Sequence, residues 1–326
     1  MQAEKSHLTG IAVWGIGNHA RRNVLPAVRE CKSLNLIGIG SRNEGVRREQ
    51  SGIYDCQAWD SLEDILTCPD VEVVYLATPI GLHHNEGLKV FSAGKHLWCE
   101  KSLTSTLEDG VDLHRKSQDK DLALCLVCSP LYHPQYAMLL ELLDEDAIGT
   151  VQSISARFDF PHMQADNIRY QSELGGSALL DLGFYPIIVA TGLAGVESET
   201  IFGNLVTESG YQVDTAGNAS FETRSGIRVS ADWGYGRAYQ NEIEIQGSTG
   251  SIRVSPAFSK PAGMDISITF KSGDIEKTID VPGANQFTAM LDAFSRTIKD
   301  RTLRSTHRDW ALGTQQLLEK VRQASI

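Results

Sequence analysis

Residues 10–20 read GIAVWGIGNHA, an apolar run followed by two glycines and an alanine. The run is typical of a buried strand, and GxGxxA directly after it is typical of a strand-to-helix turn that holds a pyrophosphate. Gly15 permits the tight turn, Gly17 lets the backbone approach the anion, and Ala20 allows close packing of helix on strand. The helix N-terminus favours the negative charge. We predict a dinucleotide site here; the alternative is a glycine-rich turn in a domain without a ligand.

Apolar runs alternate with helical patterns through the first 128 residues. Strands are predicted at 10–15, 35–41, 71–79, 95–101 and 121–128, and helices at 20–31, 82–94 and 103–117. Continuous apolar strands separated by helices indicate βαβ units and a parallel sheet covered on both faces. The expected fold class is therefore α/β, with a doubly wound Rossmann domain over residues 1–128.

The pattern changes after residue 128. A helix is predicted at 132–143 and another after residue 176, and closing helices at 286–299 and 308–324. Half-buried strands are predicted within 151–160, 220–233, 241–247, 251–255, 265–272 and 275–281, with hairpin turns at TRSG (223–226) and KSGD (271–274). The strands alternate with period two and are joined by glycine-containing turns, as in an antiparallel sheet with one wet face. We predict an α+β domain with an open-faced, mostly antiparallel sheet over residues 129–326.

Composition narrows the possible functions. The 326 residues suit about two domains of ~150 residues each. Lys plus Arg number 30 and Asp plus Glu 41, so the net charge is −11 and general binding to nucleic acid or anionic membrane is disfavoured. The start, MQAEKSHLTG, has no apolar region of a secretion signal, and the apolar stretch 182–196 is too short and too interrupted to span a bilayer. We therefore expect a cytoplasmic location.

Six cysteines do not make a disulfide scaffold in a chain of this length. Cys125 and Cys128 form a CxxC within an apolar run, and either a redox pair or half of a zinc site is conceivable. No second CxxC or histidine pair completes a metal set, so we interpret them as two small hydrophobic residues of a buried strand. No metal site is expected.

The end of the second predicted strand selects the cofactor. A carboxylate there accepts hydrogen bonds from the adenosine ribose of NAD and repels a 2′-phosphate. This chain instead has Ser41-Arg42-Asn43, with Arg47 and Arg48 close by. Arg42 can pair with a phosphate in fork geometry while Ser41 donates a hydrogen bond. The sequence predicts NADP(H) over NAD(H); the alternative is that Arg42 is a solvated loop residue.

Further motifs follow in a fixed order. Residues 77–79 read ATP and are followed by Leu82-His83, residues 94–101 read GKHLWCEK, and residues 175–185 read GGSALLDLGFY. With GxGxxA, their order and spacing resemble the family of glucose–fructose oxidoreductase and inositol dehydrogenase (Gfo/Idh/MocA) over nearly the whole chain. The resemblance implies a Rossmann domain, an open-faced sheet that often makes oligomer contacts, and a catalytic lysine from an EKP motif.

Carried onto this chain, the family lysine is Lys101, and the family's Asp and His-or-Tyr fall on Asp181 and Tyr185. The Tyr form resembles the branch that contains glucose–fructose oxidoreductase, dihydrodiol dehydrogenases and some sugar ketoreductases. Ser102 stands where the family has a proline that is often linked to a cis peptide, which leaves open whether this peptide is trans or cis. Ile80 stands where the family often has Asn.

Hydride transfer to or from an alcohol carbon requires a proton to move on or off the oxygen. Tyr185 can act as general acid in ketone reduction, or as base in oxidation if the ammonium of Lys101 lowers its pKa from ~10. Asp181, four residues before Tyr185 on a predicted helix face, can orient a hydroxyl or the lysine. Gly175-Gly176, just before that helix, would let the backbone pass close to a ligand. Alternatively, Lys101 is the proton donor and Tyr185 only binds. A cleft between the domains would bring the three together.

Each residue also has a purely structural interpretation. Lys101 could be a surface residue at a strand end, Asp181 a helix cap, and Tyr185 core packing with a wet hydroxyl. Other aromatic residues, which could equally be core, surface or the lining of a sugar pocket, are Tyr170, His162 and Trp233.

We predict an NADP(H)-dependent oxidoreductase acting on a secondary alcohol or ketone of a sugar or related polyol, assembled as a homodimer or homotetramer through the C-terminal sheet. The alternatives are a non-catalytic NADP-sensing regulator and an NAD-dependent glycosidase on the same fold. The predicted catalytic residues are Lys101, Tyr185 and Asp181. The predicted cofactor-binding residues, all on or near these motifs, are Gly15, Ile16, Gly17, Asn18, His19, Ala20, Ser41, Arg42, Thr78, Pro79, His83, Glu100, Lys101 and Arg169.

Overall fold

The computed structural model describes residues 8–195 and 198–325. The chain divides into two compact units. One comprises residues 1–127 with 287–315, and the other residues 128–286 with 316–326. The first division falls beside the predicted domain boundary at residue 128, but the first unit also contains a stretch of the C-terminal region.

The first unit is built on a six-stranded parallel sheet with the order β3-β2-β1-β4-β5-β6. Its strands are β1 (Thr9–Trp14), β2 (Leu34–Gly40), β3 (Gln57–Trp59), β4 (Val73–Leu76), β5 (His96–Cys99) and β6 (Leu124–Leu126). This order is that of a doubly wound dinucleotide-binding sheet, whose strand order reverses beside β1. The predicted Rossmann fold is confirmed, and the switch point lies where GxGxxA follows β1.

Helices connect these strands. They are α1 (Leu25–Glu30), α2 (Glu44–Tyr54), α3 (Leu62–Thr67), α4 (His83–Ser92) and α5 (Leu107–Asp119). The side chains of Asn43, Ser61 and Thr106 cap α2, α3 and α5 by accepting a backbone N–H three residues ahead. The helix predicted at 20–31 is divided, because a π-helical turn over Ala20–Val24 precedes α1.

Helices α2 and α3 and strand β3 were not predicted from the sequence. Only Gln50 is buried in α2, so this helix has no apolar stripe to reveal it. Strand β3 has three residues, two of them exposed, and lies at the sheet edge. Short edge elements that bury little leave a weak hydrophobic pattern.

The second unit is built on an eight-stranded sheet with the order β14-β13-β12-β11-β7-β10-β9-β8. Its strands are β7 (Val151–Phe160), β8 (Ser198–Val206), β9 (Ala216–Thr223), β10 (Arg228–Tyr235), β11 (Gln240–Gly247), β12 (Gly250–Val254), β13 (Ile266–Ser272) and β14 (Ile275–Val281). All neighbours pair antiparallel except β7 with β10. The predicted mostly antiparallel sheet is confirmed, although β8 was not predicted.

Helices α6 (Pro134–Asp144) and α7 (Phe184–Ala194) belong to this unit, and α7 packs on β7 and β10. A π-helical turn over Leu179–Gly183 leads into α7. The helical region 172–194 is long and apolar enough to cross a membrane, which corrects the shorter estimate above. However, 83% of its most apolar window is buried inside the protein, as in a core helix.

The closing helices are α8 (Gln286–Thr297) and α9 (Arg301–Gln323). Within the first unit, the Phe294 ring packs edge-on against Trp98 at 5.6 Å between centroids, and Gln315 Nε2 donates to the carbonyl of Thr104 at 3.1 Å. Residues 287–315 thus cover the parallel sheet and its loops, although the sequence placed them in the second domain. An apolar helix stripe shows that a helix packs, but not on which sheet.

None of the six cysteines, all within the described ranges, forms a disulfide, and Cys125 and Cys128 are both fully buried, as predicted. Cys125 lies in β6, whereas Cys128 follows the strand. Burial raises the pKa of the Cys125 thiol to about 12, which makes it unreactive. Within the described ranges 8–195 and 198–325, no group of three or more His, Cys, Asp or Glu residues is arranged to hold a metal ion.

Replacement of Phe294 tests whether α8 is part of the first unit's core. The side chain is 0% exposed, so Phe294→Ala leaves a cavity beside Trp98 and should lower the free energy of unfolding by about 3–5 kcal/mol. Urea denaturation measures this. Ile275, which is 66% exposed, provides the control: Ile275→Ala should change stability by less than about 0.5 kcal/mol. Equal effects of the two variants would contradict the assignment.

Candidate active site

The turn after β1 has the shape that a pyrophosphate requires. Gly15 has φ +97°, and a Cβ there would lie 2.7 Å from the backbone of Ala77 and Thr78. Any other residue would therefore push away the loop that follows β4. A Cβ on Gly17 would meet nothing within 4 Å, so the space above the turn is open. The site thus fits the cofactor that the motif predicted.

The loop after β2 keeps one arginine available. Arg47 donates to the carbonyl of Ser41, and Arg48 pairs with Glu44 at 2.8 Å. Arg42 is exposed and, among the residues that the structure describes, has no hydrogen bond or ion pair. It is the guanidinium of this loop that can bind a 2′-phosphate without losing an existing partner.

The residue after β5 is a buried carboxylate. Glu100 Oε1 accepts a hydrogen bond from the Tyr75 hydroxyl at 2.6 Å and pairs with Nε2 of His19 at 3.0 Å. Burial raises the pKa of Glu100, but the charge and hydrogen bond of His19, the Tyr75 hydroxyl and the charge of Lys101 bring it to about 2. The ionised carboxylate joins the phosphate-binding turn to the end of β5. Glu100 and His19 were predicted to bind the cofactor; their side chains bind each other.

Lys101 follows directly, at the carboxyl edge of the parallel sheet where ligands of this fold bind. The Lys101–Ser102 peptide is cis, which answers the question that Ser102 raised. On the neighbouring loop, the Thr78 hydroxyl donates to Glu86 Oε2 at 2.6 Å, and Trp14 Nε1 donates to Glu86 Oε1 at 2.9 Å. Glu86 thereby holds the end of β1 and the loop after β4 together.

His83 opens α4 and is fully buried. Its Nε2 lies 2.8 Å from the carbonyl oxygen of Thr78, and its Nδ1 lies 3.0 Å from that of Ser102 and 3.2 Å from that of Leu103. Both ring nitrogens therefore face backbone oxygens of the protein. The sequence analysis had assigned this side chain to cofactor binding.

A second cluster lies within the second unit. Arg169 Nε donates to Asp181 Oδ2 at 2.6 Å, and the Tyr235 hydroxyl donates to the same oxygen at 2.8 Å. Asp181 raises the pKa of Arg169, and burial together with Asp181 raises that of Tyr235 well above its usual value. Arg169 is therefore a cation held on Asp181, and Tyr235 a neutral donor.

Tyr185 is the second residue of α7 and is half-buried. Its ring packs edge-on against Phe158 and Phe184, each at 5.5 Å, and lies 6.2 Å from Phe258. Asp181 lies in the π-helical turn before α7, not on the continuous α-helix that was predicted. The aromatic packing fixes the direction of the Tyr185 ring within this unit.

Gly176 serves a different purpose from the one expected. A Cβ there would lie 2.6 Å from the carbonyl oxygen of Arg169, so the backbone crosses close to Arg169. The sequence analysis had assigned the glycine pair to close approach by a ligand. The glycine instead brings the segment that carries Arg169 next to the turn that carries Asp181.

Of the other aromatic candidates, one belongs to the hydrophobic core and two lie in an aromatic cluster beside Tyr235. Trp233 is 0% exposed and belongs to the core. Tyr170 packs against Tyr235 at 5.4 Å and Tyr211 at 4.6 Å, and its hydroxyl lies 3.3 Å from His162 Nδ1. Sequence reasoning missed Tyr235 and Tyr211. The alternation along β10 marks Tyr235 as inward-facing, but nothing local indicates its partner Asp181.

Both halves of the chain are similar to one known family. Residues 9–139 match the GFO/IDH/MocA oxidoreductase family, NAD-binding Rossmann fold, and residues 136–253 match the GFO/IDH/MocA C-terminal domain. The chain is 30% identical over 317 residues to a dTDP-3,4-didehydro-2,6-dideoxy-α-D-glucose 3-reductase of Actinomadura kijaniata, covering 97% of this chain and 92% of that protein. It is 23% identical over 282 residues to an NADP(+)-dependent D-xylose 1-dehydrogenase of Haloferax volcanii, covering 85% of each.

A solved structure is closely similar. The 3-ketoreductase of Actinomadura kijaniata in complex with NADP and TDP-benzene superposes with a TM-score of 0.93 at 28% identity, covering 98% of each chain. Structures of the same ketoreductase with a lysine replaced by alanine and with a tyrosine replaced by phenylalanine match with TM-scores of 0.90 and 0.93.

Proposed function

This chain belongs to the GFO/IDH/MocA family of oxidoreductases, and on that premise we propose that it reduces a keto group of a nucleotide-linked sugar with NADPH. It is an enzyme that transfers a hydride between a nicotinamide and a sugar carbon, with NADP(H) as cofactor. Four relatives, 26–30% identical, are reductases of a dTDP-linked didehydro-dideoxy sugar, and these support the nucleotide-linked substrate.

The observation that carries the proposal is the place of Lys101. This lysine lies two residues after the end of β5 in a 3-2-1-4-5-6 sheet, between the buried Glu100 and a turn whose carbonyls His83 contacts. Ligands of this sheet type bind at the carboxyl ends of the strands, beside the switch point. A cation fixed there can polarise a carbonyl oxygen that is to be reduced.

Residues of the first unit would hold the cofactor. The turn at Gly15 and Gly17 would take the pyrophosphate, Arg42 with Ser41 the 2′-phosphate, and the loop at Thr78 and Pro79 would lie near the nicotinamide. When bound, NADPH supplies the hydride. We assign cofactor binding to the N-terminal region 1–128, on whose sheet helices of residues 287–315 pack, and substrate binding to the remaining part of the region 129–326.

The protein's own task is then to bind the sugar and deliver a proton. In the proposed reduction the carbonyl carbon gains the hydride and its oxygen gains a proton, which forms an alcohol. We assign the proton to the Tyr185 hydroxyl and the polarising charge to Lys101, which would also resupply the proton from solvent. Asp181, held by Arg169 and Tyr235, would orient a neighbouring sugar hydroxyl.

We also assign the protein to the cytoplasm, where thiols stay reduced, in keeping with its six cysteines outside disulfides.

We further propose that the protein assembles as a homodimer or homotetramer through the outer face of the eight-stranded sheet. Small and polar side chains at Ser155, Ser220 and Ser230 run across that face, beside the exposed Phe202. A monomeric mass by light scattering would contradict the assembly.

The reaction is tested by following the absorbance of reduced nicotinamide with dTDP-3,4-didehydro-2,6-dideoxy-α-D-glucose and NADPH. Lys101→Met and Tyr185→Phe should each lower kcat about 10²–10⁴-fold, because each removes a group that acts on the reacting oxygen. NADPH affinity, measured by fluorescence titration, should change little.

Matched controls are Lys120→Met, which alters an exposed lysine, and Tyr54→Phe, and both should keep wild-type turnover. If Tyr185→Phe kept wild-type turnover, Lys101 and not Tyr185 would be the proton donor. Oxidation of D-xylose by NADP(+), without reduction of the nucleotide sugar, would replace the proposed substrate class by free aldoses. NADPH binding without turnover of either compound would favour the regulator.

Cofactor selection depends on Arg42. Arg42→Ala should weaken NADPH binding about 10–100-fold and leave NADH binding unchanged, since about 1.5–3 kcal/mol of charge-assisted hydrogen bonding to the 2′-phosphate is lost. Titration of both cofactors by nicotinamide fluorescence measures the ratio. Arg48→Ala, which alters an arginine paired with Glu44 in the first turns of α2, is the control. An unchanged NADPH-to-NADH ratio in Arg42→Ala would contradict the assignment.

A further inference from the structure

Fully buried histidines usually pair one donor with one acceptor, and His83 does not. A neutral imidazole carries one N–H and one bare nitrogen that accepts. Here Nε2 faces the carbonyl oxygen of Thr78 at 2.8 Å, while Nδ1 faces those of Ser102 and Leu103 at 3.0 and 3.2 Å. Carbonyl oxygens only accept hydrogen bonds. A neutral ring would therefore set a bare nitrogen against a carbonyl oxygen within contact distance.

We propose that His83 is an imidazolium that donates from both ring nitrogens and is a positioning residue for Lys101. Its two hydrogen bonds connect the loop after β4 to the turn after β5. Ser102 and Leu103 are the two residues that directly follow Lys101 in that turn. The ring thus fixes the backbone from which the lysine side chain starts. This inference rests on the proposed function for the role of Lys101, but not for the state of the ring.

The surroundings can support a buried cation. Three carbonyl dipoles point at the ring, and Thr78, whose carbonyl is one of them, donates its hydroxyl to the Glu86 carboxylate at 2.6 Å. Glu86 lies one helical turn after His83 on α4, so its charge lies close to the ring. A buried charge is tolerated where its hydrogen bonds are complete and an opposite charge is near.

The preceding residue is fixed independently. The Glu100 carboxylate accepts a hydrogen bond from the Tyr75 hydroxyl and pairs with the His19 ring. Lys101 therefore lies between two anchored neighbours, one held through a side chain and the other through its carbonyl. Removal of the His83 anchor should leave the cofactor turn at Gly15 intact and displace only the lysine. A displacement of about 1 Å of a catalytic group can cost about 100-fold in rate.

Two amide variants separate the two hydrogen bonds. The Asn Nδ2 reaches the position of His Nδ1 and can still donate to the turn after Lys101, whereas the Gln Nε2 reaches the position of His Nε2 and can donate only to Thr78. His83→Leu removes both. We expect His83→Leu and His83→Gln to lower kcat about 100-fold and His83→Asn by less than about 10-fold. The Kd for NADPH should stay within about threefold in all three variants, since cofactor contacts are kept.

His84→Asn is the matched control. His84 is the next residue of α4, but its ring pairs with Asp109 and Asp112 of α5, away from both loops. Its replacement should leave kcat unchanged. The positioning role is overturned if His83→Asn loses as much activity as His83→Leu, or if NADPH affinity falls in parallel with kcat.

Two readouts do not depend on turnover. In protein labelled with ¹⁵N-histidine at neutral pH, the His83 ring should show two protonated nitrogens, and one bare nitrogen would overturn the imidazolium. Hydrogen exchange of the peptide that contains residues 101–103 should rise in His83→Leu and stay unchanged in His84→Asn; no rise would overturn the anchoring. If the wild type turns over no substrate, the proposed function fails, and these two measurements still decide the state and anchoring role of His83.

Discussion

The buried carboxylate of Glu100 is the contact on which the arrangement of the first unit depends. An ionised carboxylate away from water is costly unless it is paired and hydrogen-bonded. Glu100 meets that condition with Tyr75 from β4 and His19 from the turn after β1. Neither partner can move without leaving the charge exposed to an apolar interior. The phosphate-binding turn and the end of β5 are therefore held in one position relative to each other, and Lys101 takes its place from that.

Local motifs explain why much of this unit could be predicted from the sequence. The spacing of Gly15, Gly17 and Ala20 contains its own structural reason, since turn, close approach and packing all arise within six residues. The buried strands of the parallel sheet could be predicted because they are apolar runs in the sequence. The elements within residues 41–70 could not, because α2 buries only one residue and β3 is only three residues long. Residues 287–315 lie in the first compact unit although the predicted boundary grouped them with the C-terminal domain, because their apolar stripe fits either sheet.

From the sequence, individual site residues could be predicted where a motif indicates their chemistry, but their contacts could not. Motifs predicted Lys101, Asp181 and Arg169 as site residues, but the hydrogen bonds around these positions join residues far apart in sequence. Tyr235 and Asp181 are separated by 54 residues, and His83 and Ser102 by 19. No period or spacing encodes such pairs. Hence Tyr235 was missed, and Gly176 was assigned to a ligand although it makes room for the backbone of Arg169.

The net charge of −11 does not oppose binding of an anionic cofactor, because charge acts locally at physiological salt. Screening limits exposed charges to about 8–10 Å, so the sum over the chain says little about one loop. Among the residues that the structure describes, the Arg42 guanidinium has no partner, whereas Arg47 pairs with Asp60 and Arg48 with Glu44. The structure likewise keeps the Lys101 charge beside a carboxylate whose Oε1 already has two partners. An acidic exterior repels the phosphate backbone of nucleic acids, whereas a few cations at fixed positions can bind small phosphates. A substrate that carries a diphosphate would be selected by the same principle, by cations at fixed positions and not by the field of the whole protein.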